Sequence, residues 1–249
     1  MKPLRNIKSE AFTRVELVVV IVIVTLLAVM VIPLQVQRKI EARRNECANN
    51  LRQIDGCYRI WSSYRNRYPA QNSDEGGWEA RINKAHPESF VWTNFFVMAR
   101  LISLTNSAVV ICPMDERKPA ADFTLRNFHD NRSVSYFVDP NANDNYPQSI
   151  LGGDRNLAAT SNDNSYGYSP ADGSGFDTAT IPLPNNTTEI YWSRKMHGMG
   201  TSGAGGNIAL GDGSVQQVTS EGFRRFLKQS SDASNPNSDS NGVVRLLLP

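Results

Sequence analysis

The residues best suited to acid–base chemistry in this sequence are His197 and Asp212, with Cys112 or Ser214 as candidate nucleophile. Nucleophilic catalysis needs a base within hydrogen-bond reach of the nucleophile and a third group that orients the base. The spacing of these residues does not predict that arrangement. The sequence also contains no Gly-x-Ser-x-Gly elbow, no HExxH helix and no phosphate-binding loop. We therefore expect no catalytic residue, and Asp212 has a sufficient role in a predicted turn.

Oxygen ligands for a metal ion are concentrated in one loop-rich region that contains Asp163, Asp172 and Asp177. Calcium prefers a site with roughly six to eight oxygen ligands. The region has no EF-hand spacing, and polar loops commonly have this composition. The sequence therefore leaves calcium open as a cofactor without assigning a ligand set, and it predicts no other cofactor and no metal-ligating residue.

The chain has three cysteines and no Cys-x-x-Cys motif. Cys47 lies on an apolar stripe predicted to face the domain, and Cys57 lies on a flanking face of the same helix. Cys112 precedes a proline at the end of an apolar run. In an oxidising compartment these positions predict a Cys47–Cys112 disulfide. Three buried free thiols are the alternative, and connectivity does not follow from sequence alone.

Glu16 is an unusual acidic residue, because it lies at the start of an apolar run from Val15 to Leu34. A helix of about 20 residues spans about 30 Å, which is enough to cross a bilayer core. A secretory signal peptide would have a shorter apolar region followed by a small-x-small cleavage site. An ordinary membrane anchor gives no reason to retain a carboxylate, since a charged group in lipid is costly.

The segment from Ala11 to Val20, preceded by a short basic leader, resembles the processing signal of type IV pilins and type II secretion pseudopilins. The resemblance implies that prepilin peptidase cuts between Ala11 and Phe12 and methylates the new amine of Phe12. The usual residues are glycine before the cut and leucine at the third mature position, where this sequence has Ala11 and Arg14. The resemblance also implies a single-pass protein of the bacterial inner membrane with a periplasmic C-terminal domain. The charges that flank the helix do not decide this orientation.

Fibre assembly gives Glu16 a function within this family. In a bundle of staggered helices, Glu16 of one subunit meets the Phe12 ammonium group of its neighbour and sets the axial register. Pro33 predicts a kink or local melting of the helix. The formal net charge is +2, and cleavage removes three of the 26 basic and one of the 24 acidic residues. The side chains of the mature chain then sum to zero charge, so subunits that pack in a fibre do not repel one another through net charge.

A second resemblance rests on motifs farther along the chain, and the two resemblances together span most of it. Its motifs are Cys47–Ile54, Ile111–Pro113, Gly152–Asn156, Trp192–Gly198 and Gly206–Val215. They are similar to prepilin-type proteins with a C-terminal His…Asp-Gly hairpin, abundant in planctomycetes and verrucomicrobia, which resemble the major pseudopilin. The implied function is a structural subunit of a pseudopilus or type IV pilus-like fibre. Its implied partners are copies of itself, other pseudopilins, prepilin peptidase, an inner-membrane assembly platform and the membrane, with no nucleic acid.

The alternative function is a membrane-tethered periplasmic module that binds a ligand or glycan and uses this signal only for export. Tyr191 and Trp192 are the candidate binding residues. A binding module should expose these rings as a rigid platform, whereas a fibre subunit should bury them.

The predicted fold class is α+β, with a long N-terminal helix packed on a small antiparallel sheet with long loops. The predicted segments are a leader at 1–11, a transmembrane or fibre-core helix at 12–34, an amphipathic extension at 35–66 and a globular domain at 67–249. The domain includes a flexible stretch at 230–241. The extension is predicted from an apolar stripe at helical spacing formed by Cys47, Leu51, Ile54, Tyr58 and Trp61.

Other elements are predicted from local patterns. A helix is expected from Pro87 to about Leu104 and another from Glu221 to Lys228. Strands are expected at 108–113, 133–138 and 188–193, with an edge strand at 243–248. The strongest local signal is Gly211-Asp212-Gly213 between two β runs, which predicts a hairpin.

Overall fold

The computed structural model describes residues 13–65, 69, 91–101, 104–139, 142, 146–169, 180–183, 190–198, 204–230 and 244–249. The chain divides into two compact units, Met1–Ala42 and Arg43–Pro249. The predicted leader, the cleavage site between Ala11 and Phe12 and the predicted flexible stretch beyond Ser230 lie outside the described residues.

The described elements combine helices with antiparallel strands. The α-helices are α1 (Arg14–Arg65), α2 (Val91–Leu101) and α3 (Ser220–Ser230). The strands are β1 (Tyr136–Val138), β2 (Ile150–Asp154), β3 (Leu157–Ala158), β4 (Thr180–Leu183), β5 (Tyr191–Trp192), β6 (Gly205–Leu210), β7 (Val215–Thr219) and β8 (Val244–Leu247). Six strands form one sheet in the order β4-β8-β1-β2-β6-β7, and β3 pairs with β5. All of these pairs are antiparallel, so the predicted α+β class with an antiparallel sheet is confirmed.

The first unit begins with a capping box. The backbone N–H and the hydroxyl of Thr13 both donate to Glu16 Oε2 at 2.8 Å, and the Glu16 N–H donates to Thr13 Oγ1 at 3.3 Å. This exchange satisfies N–H groups that the first turn of a helix leaves unpaired. Glu16 therefore has a local role in starting α1, in addition to any role between subunits. Thr-x-x-Glu at the start of an apolar helix is the sequence signature of this motif.

The predicted membrane or fibre-core segment at 12–34 is described only in part. Phe12 and the side chains of residues 30–37 lie outside the described part of the chain. The helix α1 continues through Pro33, and the kink expected there stays a prediction. Among the residues that the structure does describe, no helix is both long enough and apolar enough to cross a membrane.

The second unit is built around the apolar stripe of α1. All five stripe residues, Cys47, Leu51, Ile54, Tyr58 and Trp61, are buried, as predicted. They share a core with α2 and with one face of the large sheet, including Tyr136 and Val138 of β1. Phe137, between these two, joins a second core with Phe223 of α3. Successive residues of a strand point to opposite faces. The sheet therefore has apolar contacts on both of its faces.

The hairpin prediction is confirmed, because β6 pairs with β7 in antiparallel register across the Gly211-Asp212-Gly213 turn. Gly213 has φ of +87°, a backbone conformation that favours glycine. The helix after the hairpin is also confirmed, with the N–H of Gly222 donating to Thr219 Oγ1 at 3.2 Å.

Two strand predictions are wrong. Residues 107–110 form a 3₁₀ turn, because Asn106 Oδ1 accepts a hydrogen bond from the Ala108 N–H at 3.0 Å and starts the turn. β8 is not an edge strand, since it pairs with β4 as well as with β1. The edge belongs to β4, whose Pro182 suits an edge position.

We predict opposite effects for two glycine-to-alanine substitutions. A Cβ at Gly153 of β2 would lie 2.6 Å from the carbonyl oxygen of Asn207 in β6, whereas a Cβ at Gly56 of α1 would meet nothing within 4 Å. Gly153→Ala should therefore destabilise the chain by about 1 to 3 kcal/mol. Gly56→Ala should stabilise it by about 0.5 to 1 kcal/mol, because alanine favours the helix. Urea unfolding of the detergent-solubilised chain measures both, and equal effects would contradict the close approach of β2 and β6.

Candidate functional site

A buried polar cluster surrounds the carboxylate of Asp154, the last residue of β2. Its other members are Cys47 of α1, Cys112 just beyond the 3₁₀ turn at 107–110, and His197 in a second 3₁₀ turn, Met196–Gly198. The four side chains each contribute one sulfur, nitrogen or oxygen atom, and these atoms all lie within 4.8 Å of one another. All four residues are buried, with at most 2% of any of them exposed.

The contacts within the cluster centre on Asp154. The thiol of Cys47 donates to Asp154 Oδ1 with a sulfur–oxygen distance of 3.1 Å. His197 Nε2 lies 3.0 Å from Asp154 Oδ2 and 3.5 Å from the sulfur of Cys112. A carboxylate, an imidazole and two thiols, which come from distant parts of the sequence, therefore share one small volume.

Two further residues hold the cluster in place. Asn207 of β6 donates to Asp154 Oδ2 twice, from its backbone N–H at 2.6 Å and from its side-chain Nδ2 at 3.0 Å. The hydroxyl of Tyr136 in β1 lies 3.3 Å from the sulfur of Cys47. A buried carboxylate is stable only where hydrogen bonds or charges compensate for the lost water. These bonds attach the cluster to the middle of the sheet.

The cluster changes the acidity of its members. Burial alone would lower the pKa of His197, but the charge of Asp154 and its hydrogen bond outweigh burial and raise that pKa to about 10. Burial would raise the pKa of Cys112, but hydrogen bonds with Cys47 and His197 lower it. Burial raises the pKa of Cys47. The arrangement therefore favours an imidazolium beside a carboxylate, with Cys112 as the more acidic thiol.

A second buried network starts at the next residue of the chain. Arg155 binds Asp115 through two hydrogen bonds of 2.7 Å each, and neither side chain has any exposed surface. The Arg155 guanidinium also lies 3.5 Å from the centre of the Tyr166 ring. Burial alone would raise the pKa of Asp115, but the hydrogen bonds and the charge of Arg155, together with a hydrogen bond from Ser135, lower it. Asp115 is therefore ionised in the fold, and the pair is a buried bidentate ion pair.

Arg117 extends this network to other loops. Its guanidinium donates to the carbonyl oxygens of Val134 at 2.6 Å and Asn131 at 2.9 Å. Burial and the nearby charge of Arg155 lower the pKa of Arg117 to about 9. The network thus binds the loop at 113–120 to β1 and to the end of β2.

The predicted disulfide partners lie together in the structure. Cys47 and Cys112 are both in the cluster, and both are free thiols. Cys57 is also a buried free thiol, and it lies outside the cluster. The Cys47–Cys112 bond itself stays a prediction.

The carboxylate that faces His197 is Asp154, whereas sequence reasoning had considered Asp212. Asp212 lies in the β6–β7 turn, where its Oδ1 accepts a hydrogen bond from the Ser214 N–H at 2.8 Å. Asp154 lies within the Gly152–Asn156 motif, and the sequence alone predicted no chemistry for it. A buried aspartate after two glycines in a strand was the available signal.

The loop-rich region considered for calcium is described in part. Asp163 is half-buried, and its Oδ1 accepts hydrogen bonds from the N–H and the hydroxyl of Ser165, both at 2.6 Å. These bonds form a local turn. Asp172 and Asp177 lie outside the described residues.

Comparison with known proteins assigns no family to the chain. No protein-family model, no curated protein and no solved structure matches it. The chemistry of the cluster therefore rests on its own residues and their geometry.

We predict that Asp115→Asn strongly destabilises the second unit. The substitution leaves the Arg155 guanidinium buried without its counter-charge, which typically costs about 3 to 5 kcal/mol. Glu116→Gln is the matched control, because Glu116 pairs with Lys195 at the surface and its side chain is 57% exposed. Such a surface pair contributes about 0 to 1 kcal/mol. Urea unfolding of both variants measures the difference, and similar losses would contradict the assigned importance of the buried pair.

Proposed function

We propose that this chain is a structural subunit of a pseudopilus or type IV pilus-like fibre and acts by polymerising through the N-terminal part of α1. One observation supports the proposal most directly. Every large apolar side chain described from Val15 to Val29 is exposed, from 47% at Val20 to 72% at Val15. An apolar surface of this extent is not left in water by a folded protein. It needs lipid or other protein chains to cover it.

The exposed apolar residues surround the helix and do not form a stripe. Val18 to Val24 are seven successive apolar residues, which is nearly two turns. A helix that is apolar on all sides is typical of a membrane span or of the centre of a helical bundle. In the proposed cycle, lipid of the bacterial inner membrane covers this segment first, with the C-terminal domain in the periplasm. Neighbouring copies of the same segment cover it in the fibre.

The remainder of α1 supplies the attachment to the domain. From Cys47 to Trp61 its apolar stripe belongs to the core of the second unit. We include in the proposal that α1 is one functional element, with an anchor followed by an amphipathic extension that is packed on the sheet. Pulling a subunit from the membrane by its helix would then carry the domain along.

The alternative of a glycan-binding module has less support. Trp192 has no exposed surface, and its ring lies 4.9 Å from the ring of Phe223. A Cβ at Gly206 would lie 2.6 Å from the Trp192 ring, so the backbone itself packs against the indole. Tyr191 is half-buried, with the Arg224 guanidinium 4.9 Å from its ring centre. This pair does not offer the exposed aromatic platform that a binding module would use.

We predict that the mature chain begins at Phe12 and carries a methyl group on its amine. Prepilin peptidase, the proposed processing partner, would cut after Ala11 and leave the apolar helix with the mature protein. Mass spectrometry of the protein from its native membranes tests this, with an intact Met1 or a start beyond residue 30 as the contradicting result. Other pseudopilins and an assembly platform are the further partners that the proposal requires.

A second prediction separates the two roles of Glu16. Glu16→Gln retains a residue that completes the capping box but removes the charge, whereas Glu16→Val removes both. If Glu16 pairs with the Phe12 amine of a neighbour, both variants should reduce fibre recovery by about tenfold or more, because each subunit addition repeats the loss. Sheared-fibre recovery, normalised to the membrane-inserted subunit, measures this.

Two threonine variants serve as controls. Thr13→Ala removes the capping hydroxyl but keeps the Glu16 charge, and Thr25→Val removes a hydroxyl that donates only to carbonyl oxygens of its own helix, Ile21 and Val22. Both should still assemble. If Glu16→Gln assembles as well as the unchanged chain, Glu16 acts only as a cap and the interchain pairing is wrong.

A further inference from the structure

The buried cluster has the dimensions of a tetrahedral metal site. Zinc bonds of about 2.3 Å to sulfur and about 2.0 to 2.2 Å to nitrogen or oxygen place neighbouring ligand atoms about 3.3 to 3.8 Å apart. The corresponding distances are 3.1 Å between Cys47 Sγ and Asp154 Oδ1 and 3.5 Å between Cys112 Sγ and His197 Nε2. His197 Nε2 lies 3.0 Å from the other carboxylate oxygen, Asp154 Oδ2. The remaining pairs of ligand atoms lie within 4.8 Å of one another, so inward shifts of about 1 Å or less would create the tetrahedron.

We propose that Cys47, Cys112, Asp154 and His197 bind one zinc ion and that this ion has a structural role. Two thiolates and an imidazole favour zinc over calcium or magnesium, which prefer oxygen ligands. Four protein ligands fill a tetrahedral site and leave no position for a substrate or an activated water. All four residues are buried, which suits a closed structural site.

The whole ligand set, and not the cysteines alone, favours a metal over a disulfide. A Cys47–Cys112 bond would use both sulfurs but would not involve the carboxylate of Asp154 or the imidazole of His197, which lie beside them. A zinc ion binds all four groups at once. Each ligating thiol and the imidazolium of His197 would release a proton to solvent, and the two charges of the ion would then balance two of the three negative ligands.

The surrounding residues resemble the outer shell of a metal site. Asn207 donates two hydrogen bonds to Asp154 Oδ2, the oxygen nearest His197 Nε2, whereas Oδ1 faces the sulfur of Cys47. The Tyr136 hydroxyl is placed to donate to that sulfur. Outer-shell hydrogen bonds orient ligands, and their loss typically weakens metal binding by about 10- to 100-fold.

The other ring nitrogen of His197, Nδ1, also has space beside it for a hydrogen-bond partner. Nδ1 is buried and has no hydrogen-bond partner among the described residues. A cavity of about 130 Å³ adjoins the cluster and is lined by His197, Arg44 and Asn207, among others. Its volume has room for water that can accept a hydrogen bond from Nδ1 of a zinc-bound imidazole.

The proposed ion would connect four separate elements. Its ligands come from α1, from the segment after the 3₁₀ turn at 107–110, from the end of β2 and from the turn Met196–Gly198. The ion would therefore fasten α1 to the sheet. Metal binding then contributes to folding, because the site does not exist in the unfolded chain. This inference does not depend on fibre assembly.

The experiment uses the full-length chain, purified in detergent from exported protein without added metal. We expect about one zinc ion per chain by elemental mass spectrometry. A strong chelator should lower the unfolding temperature, and zinc, but not magnesium, should restore it. Cobalt substituted for zinc should show the visible absorption of a tetrahedral ion bound by thiolates. Cys57→Ser is the matched control, because Cys57 is a buried thiol outside the cluster, and it should retain the zinc.

Variants assign the ligands. Cys112→Ser and His197→Gln should lose the zinc and the response to chelator. If either fails to fold, Tyr136→Phe keeps the core volume and should weaken zinc binding by about tenfold. Zinc-free protein that neither binds added zinc nor gains stability from it, after reduction, would overturn the proposal. A Cys47–Cys112 disulfide in non-reducing peptide maps of the exported protein would also overturn it.

Discussion

The carboxylate of Asp154 is the group on which the second unit depends most. It has no exposed surface, so the fold must supply every partner that water would otherwise provide. Those partners arrive from α1 through Cys47, from β6 through Asn207 and from the turn at 196–198 through His197. The next residue, Arg155, is a buried positive charge that needs a negative partner, and Asp115 is that partner. Asp154 and Arg155, two adjacent residues of opposite charge, thus determine how α1, the sheet and the loops pack around the end of β2.

The two units of the chain have opposite surface chemistry. In the second unit, charged groups are buried and paired at the centre, and the apolar side chains of the described core are covered on both faces of the sheet. In the first unit, the apolar residues from Val15 to Val29 are exposed. A domain whose own residues pair its buried charges and cover its apolar core can be moved as one unit. In the proposed fibre, the exposed apolar helix would provide the driving force for association.

Features with local causes could be predicted from the sequence. The stripe from Cys47 to Trp61 follows from helical periodicity, and the β6–β7 hairpin follows from the glycines of its turn. The capping role of Glu16 is equally local, since Thr13-x-x-Glu16 is a sequence signal for a helix start. The convergence of Cys112, Asp154 and His197 was not predictable in this way. It depends on the pairing of β2 with β1 and β6 and on the loops that carry Cys112 and His197, which no local pattern specifies.

The most direct test of the fibre proposal is cryo-electron microscopy of fibres sheared from cells that express this chain. The account predicts a central bundle in which residues 15–29 of each subunit contact the same residues of its neighbours, with the domains on the outside. In that bundle Glu16 should lie within ion-pair distance of a neighbouring Phe12 amine. Fibres that lack the chain, or in which residues 15–29 form no contacts between subunits, would contradict it.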